Sequence, residues 1–205
     1  MKVLHIDSSP LADASVSRLL TKSIVTALTE AHPGLEVTHL DLVETPPPHL
    51  TGELIQVVKF RNLDTLNAAQ REELARTDHL VDQFLAADVV VIGAPMYNFS
   101  LPTQLKAWID RVSQAGRTFR YTETGPIGLA GGRKVIIASA RGGLYAGTPY
   151  ETALDHQEAY LRAILGFLGI TDIAVIRAEG VAMGPEARAK ALEAAEHEIR
   201  QLIPG

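Results

Sequence analysis

The sequence predicts a doubly wound α/β domain with a five-stranded parallel sheet. Short apolar runs recur at Val3–Ile6, Val89–Gly93, Lys134–Ala140 and Ile173–Ala178, and stretches with helical apolar spacing lie between them. Val89–Gly93 is apolar throughout, the pattern of a central parallel strand covered on both faces. The chain has 205 residues, 46% of them hydrophobic and 21% charged, enough for one ordinary core. A single domain over 1–205 is expected, with helices on both faces of the sheet.

Lys2–Asp7 is the first strand, and it ends in a polar loop at Ser8-Ser9-Pro10. Ser17–Ala31 places Leu19, Leu20, Ile24, Val25 and Leu28 at helical spacing, and His32-Pro33-Gly34 stops that helix. Glu36–Asp41 alternates and reads as the second strand. Leu42–Asn62 is broken by Pro46-Pro47-Pro48, which reads as a surface insertion, with a short helix at Gly52–Phe60. Asn67–Leu85 is helical, Val89–Gly93 is the third strand, and Thr103–Ala115 is helical up to Gly116. Four glycines and a proline make Phe119–Gly132 a loop or hairpin. Lys134–Ala140 is the fourth strand and Glu151–Phe167 one helix. Ile173–Ala178 is the fifth strand, and Pro185–Leu202 is a last helix with proline in its first turn.

Composition narrows the chemistry. The absence of cysteine excludes disulfides, thiolate catalysis and Cys-ligated metal centres. A net charge of −5 with no basic run argues against a nucleic-acid partner. The amino terminus runs straight into a strand, and no apolar stretch has membrane-spanning length, so no signal peptide and no membrane partner are expected and the default location is cytoplasmic. The seven histidines (His5, His32, His39, His49, His79, His156 and His197) show no ligand spacing, and no metal is expected.

Three loops at strand carboxyl ends carry the unusual residues, where open α/β sheets bind ligands. Ser8–Arg18 places hydroxyls before a helix whose first N–H groups are free, an anion site. Ser9, Ser15, Ser17 and the N–H groups near Val16 suit a monophosphate, with Arg18 as the nearby positive charge; the plainer reading is an N-cap. The loop lacks the glycines of a Walker or dinucleotide fingerprint. Ala94–Asp110 begins Ala-Pro-Met-Tyr-Asn-Phe, offering Pro95, Met96, Tyr97, Asn98 and Phe99 to a flat heterocycle; here the plainer reading is core packing before a helix. Ser139-Ala140-Arg141-Gly142-Gly143 follows the fourth strand, and its paired glycines allow close backbone approach; a tight turn is the plainer alternative.

Taken together, these residues resemble the FMN-dependent NADH:azoreductases and quinone reductases of bacteria, within the flavodoxin-like superfamily. The likeness runs from Lys2 to about Ile203. It is carried by Ala94–Phe99 with Pro102–Lys106, Phe119-Arg120-Tyr121-Thr122, Arg141-Gly142-Gly143 and Gly166–Asp172. It implies a sheet of order 2-1-3-4-5, bound FMN, NADH or NADPH as donor, and quinones or azo compounds as oxidants. A homodimer with active sites at the interface follows from it too. By motif, Ser9 and Ser15-Val16-Ser17 hold the phosphate, while Pro95 to Phe99 line the ring and Ser139 to Gly143 cover its other edge. Phe119, Tyr121 and Tyr145 belong to the substrate side. The flavin is the reactive centre, so no side-chain nucleophile is expected. The chain departs from the family pattern at Val16, often glutamine, at Ala140, often serine, and at Tyr145, histidine in some relatives.

Two rival functions use the same fold. An electron-carrier flavodoxin is usually strongly acidic, and 24 acids against 19 bases is too mild a balance. A phosphodiester hydrolase needs a His/Asp metal constellation, which the spacing of the chain does not offer.

Overall fold

The computed structural model describes residues 1–60 and 63–204. Five parallel strands form the central sheet: β1 (Lys2–Asp7), β2 (Glu36–Asp41), β3 (Val89–Pro95), β6 (Lys134–Ala140) and β7 (Asp172–Ala178), ordered β2-β1-β3-β6-β7. Counted among themselves they run 2-1-3-4-5. The numbers four and five in the chain-order labels belong to an antiparallel hairpin, β4 (Phe119–Thr122) and β5 (Gly125–Gly128), outside the sheet. Sequence left that stretch open between loop and hairpin.

Both sheet faces are covered. On one face Leu4, Ile6, Val90, Ile92, Val135 and Ile137 pack with Phe84, Trp108 and Leu161. On the other, Val3, Val91, Ile136 and Ile176 pack with Leu20, Ile24, Ala195 and Ile199. Each Val, Leu, Ile or Phe among them stabilises by about 1.5–3 kcal/mol on burial. Edge strand β2 is mostly exposed, which is why it mixes polar with apolar residues where central β3 is apolar throughout.

The helices are α1 (Val16–Ala31), α2 (Gly52–Phe60), α3 (Ala68–Ala86), α4 (Thr103–Val112), α5 (Tyr150–Leu154), α6 (His156–Phe167) and α7 (Pro185–Leu202). Ser15 caps α1 by accepting from the Arg18 N–H at 3.3 Å. Asn67 and Gln70 form a capping box on α3. Helix α4 stops three residues before the expected Ala115, because the Thr118 hydroxyl donates to the Val112 carbonyl and accepts from the Gln114 N–H. The triple-proline segment is pinned rather than a free surface insertion: buried Arg111 donates twice to the Pro48 carbonyl. The end of the 42–62 stretch, Arg61 and Asn62, lies outside the described residues.

The expected single helix over 151–167 is two. Asp155 breaks it, caps α6 by accepting from the Glu158 N–H at 3.1 Å, and pairs with Arg141 at 2.7 Å. The start of α6 is thereby set beneath the β3 loop, where the His156 N–H donates to the Phe99 carbonyl and the Gln157 amide to the Ala94 carbonyl. No described helix is long and apolar enough to cross a membrane.

Candidate functional site

A pocket of about 340 Å³ opens at the carboxyl ends of β1, β3 and β6. Ser9, Ser15, Val16, Ser17, Pro95, Met96, Tyr97, Ala140 and Gly142 line it, nine of the fourteen residues expected around a cofactor. Parallel register explains the meeting of the three loops. β1 and β6 flank β3, so their following loops converge over the Pro95–Tyr97 loop.

One end of the pocket is polar. The Ser15 and Ser17 hydroxyls lie 3.1 Å apart, both buried, at the start of α1. The Arg18 guanidinium is turned elsewhere: it grips both Asp41 oxygens and the Ser9 carbonyl. That pairing raises the Arg18 pKa and, outweighing burial, holds the Asp41 carboxyl below its usual range. Arg18 is therefore not the free cation that its place in sequence implies. Arg188 of α7 stands in the pocket wall instead, with Val181, Ala182, Leu11 and Ala14. Sequence reasoning missed these five: Leu11 and Ala14 are apolar members of the serine loop with no ligand chemistry of their own, Val181 and Ala182 are brought in by backbone bonds to Arg141 and Gly142, and Arg188 by the packing of α1 on α7.

At the other end the loop after β3 folds into a tight turn. Tyr97 and Ser100 exchange backbone hydrogen bonds at 3.0 Å, and Asn98 and Phe99 have φ of 47° and 68°. Two successive positive φ values define a type I′ turn. For phenylalanine that backbone is strained, and strain of this kind collects at binding sites. The Tyr97 hydroxyl is buried without a hydrogen-bond partner among the described residues.

Ser139 and Arg141 act differently from expectation. The Ser139 hydroxyl donates to Gln157 and accepts from Arg141, inside the protein. The Arg141 side chain is fully buried and pairs with Asp155, Glu158 and Glu179. Its backbone N–H and carbonyl are also used, by Ala178 and Val181. Arg141 is thus a buried hub, and neither its side chain nor that of Ser139 faces the pocket. By contrast, the Gly142 and Gly143 N–H groups have no acceptor among the described residues. The pair supplies two free donors on a backbone whose carbonyls are pinned by Ala182 and Gly180.

Phe119 and Tyr121 are also placed apart from the pocket. They line a second cleft of about 390 Å³, with Leu50, Ile55, Val58 and Ala115. Phe119 packs into the core against Phe167, while Tyr121 is 73% exposed and stands edge-on to Phe119. Tyr145 lies beside the turn, its ring 6.4 Å from that of Phe99.

The histidines are not all scattered, a correction to the reading from spacing. Parallel register sets His5 beside His39, and Asp7 shares their face two residues on. His39 Nε2 lies 3.0 Å and His5 Nε2 3.2 Å from one Asp7 oxygen. The other oxygen accepts from Thr21. Burial pushes the Asp7 carboxyl up, but the contacts with His5, Thr21 and His39 outweigh it and hold it below the usual range. The Arg18 guanidinium, 3.8 Å away, already places a positive charge beside that carboxylate.

Comparison with known proteins gives a consistent picture. A family model described as a flavodoxin-like fold matches residues 1–203. An FMN-dependent NADH:quinone oxidoreductase of Azospirillum brasilense is 72% identical over 98% of this chain and 97% of its own length. A protein of the same name from Ralstonia nicotianae is 56% identical over 99% of this chain and 97% of its own. Among solved structures, an azoreductase from Bacillus anthracis Sterne superposes with a TM-score of 0.91 at 30% identity, covering 99% of this chain and 98% of its own. An FMN-dependent NADH-azoreductase from Bacillus anthracis Ames Ancestor, solved in complex with FMN, superposes with a TM-score of 0.88 at 28% identity, covering 98% and 99%.

Proposed function

This chain belongs to the flavodoxin-like fold family and within it to the FMN-dependent NADH:quinone oxidoreductases, and from that premise we propose how its pocket works. It is an enzyme; FMN is its cofactor and NADH its electron donor. The bound flavin supplies the hydride chemistry, and the protein supplies binding, orientation and electrostatics.

The pocket fits that cofactor. It has one hydroxyl-lined anion end at a helix start, an apolar wall at Pro95–Tyr97 and a backbone N–H at Gly142 without an acceptor among the described residues. Ser9, Ser15, Ser17 and the Val16 N–H hold the phosphate. Met96, Tyr97, Asn98 and Phe99 seat the ring system, the strained turn presenting its backbone to it. The Gly142 N–H, with that of Gly143 next to it, would offer hydrogen-bond donors to an edge of the ring system. Ala140 closes the wall between them, and Tyr145 borders the substrate side.

The finer reading is ping-pong turnover with one oxidant site, for quinones and for azo compounds cleaved to amines. The chain acts as a single domain over 1–205, in the cytoplasm, where NADH is supplied. It acts as a homodimer, with no membrane or nucleic-acid partner. Exposed Tyr121 is cut off from its own pocket, and in a dimer it is available to the pocket of a second copy.

The observation that carries this reading is the convergence of nine motif residues on one pocket in a chain 72% identical to a named quinone reductase. The test is steady-state NADH oxidation with a quinone and no added protein. Parallel double-reciprocal lines are expected. Intersecting lines contradict the shared site, and no turnover without a protein partner favours the electron carrier.

A further inference from the structure

We propose that Arg188 is the fixed positive charge for the flavin phosphate, and so the residue that selects phosphorylated flavin over riboflavin. The inference rests on the FMN reading above and adds a residue that sequence motifs do not point to. Its first support is position. Arg188 lines the same pocket as Ser9, Ser15 and Ser17 and is half-buried.

The second support is helix register. α1 and α7 pack side by side on one sheet face, and Ser23 donates to Glu196 between them. Both helices follow parallel strands and run the same way. Eight residues back from each partner are Ser15 on α1 and Arg188 on α7. At the common helical rise these lie about 12 Å up the helix pair, level with each other. The basic side chain therefore stands beside the N-terminus of α1.

The third support is an unanswered charge. The Arg188 guanidinium makes no hydrogen bond or ion pair with any described residue, whereas Arg18 is held by Asp41. Arg188 also sits in the first turn of α7, its N–H donating to the Gly184 carbonyl. A cation there opposes the helix dipole, which favours anions at that end. Glu186 lies in the same turn but makes no ion pair with Arg188 among the described residues, so the guanidinium is left for a partner from outside the chain. A dianionic phosphate at the serine cradle is such a partner, and it takes guanidinium bidentately.

The experiment titrates apo-protein with FMN and with riboflavin, following quenching of flavin fluorescence, for wild type, Arg188→Gln and Arg188→Lys. Arg188→Gln is expected to weaken FMN about tenfold or more and riboflavin less than about twofold. Arg188→Lys should recover part of the FMN affinity, and the salt dependence of FMN binding should flatten in Arg188→Gln. Unchanged FMN affinity, or an equal loss for both flavins, overturns the assignment. Wild-type protein that binds neither flavin overturns the FMN reading itself, a separate outcome.

Discussion

Ser15 and Ser17 are near neighbours with different duties. Ser15 caps α1 and also faces the anion end, whereas the Ser17 hydroxyl bonds only to Ser15 among the described residues. Ser17→Ala should therefore loosen FMN, by about 1.5–3 kcal/mol if its bond to phosphate is charge-assisted, and leave unfolding nearly unchanged. Ser15→Ala should loosen FMN and also cost about 1 kcal/mol of stability in the apo-protein. Flavin titration beside urea unfolding of both variants checks the split. Asp7 gives a pH prediction. Its folded pKa is lowered from 3.8, so the stability it contributes is fully present above that value and is lost as pH falls through the folded one. Acid unfolding monitored by circular dichroism below about pH 4 should be shallower for Asp7→Asn than for wild type. An identical acid limb would show that the His5–Asp7–His39 contacts contribute nothing.

At the scale of elements, close backbone approaches fix the frame of the site. A Cβ on Gly128 would lie 2.1 Å from the Gly169 backbone nitrogen, so hairpin β4–β5 and the turn after α6 meet only through glycine. Gly128→Ala should destabilise by about 1–3 kcal/mol or more in thermal unfolding, since backbone must move. Asp155→Ala removes the α6 cap and one of three acidic partners of buried Arg141; Glu158 and Glu179 keep that charge paired, so the cost should be about 1–3 kcal/mol. Strands β3 and β6 were legible in sequence because nearly all their residues are buried in near-continuous apolar runs, whereas β1 is interrupted by His5 and edge strand β7, mostly half-buried, was legible from Ile173–Ile176. The Asp155 break was not, because its cause is Arg141, fourteen residues away on another element. The same distance effect hid the role of Arg141: paired glycines in the motif signal a ligand, but nothing local says that the arginine before them turns inward. The serine cradle and the Pro95–Tyr97 wall were readable, since both lie on single loops with recognisable chemistry. The α7 wall was not, because helix packing rather than spacing brings it there.

Over the whole molecule, Phe119 and Tyr121 line a different cleft from the cofactor pocket of the same chain, and apolar Leu11, Phe99, Leu144 and Met183 are exposed. A two-fold dimer is the simplest assembly that covers such surface and lets Tyr121 serve a second copy. Light scattering should give about twice 22.1 kDa. Tyr121→Ala should change the ratio of quinone to azo-dye turnover more than the rate at which NADH reduces the flavin; an unchanged ratio removes Tyr121 from the substrate wall. The central claim is that one pocket on this chain holds FMN that accepts electrons from NADH and then passes them to a quinone. Anaerobic rapid mixing tests it most directly, with absorbance followed near the flavin band at roughly 450 nm. NADH alone should bleach the band of the purified protein in a single turnover, and a quinone added afterwards should restore it. A band that fades only when NADH and quinone are present together, or a protein with no flavin band after reconstitution, would contradict the account.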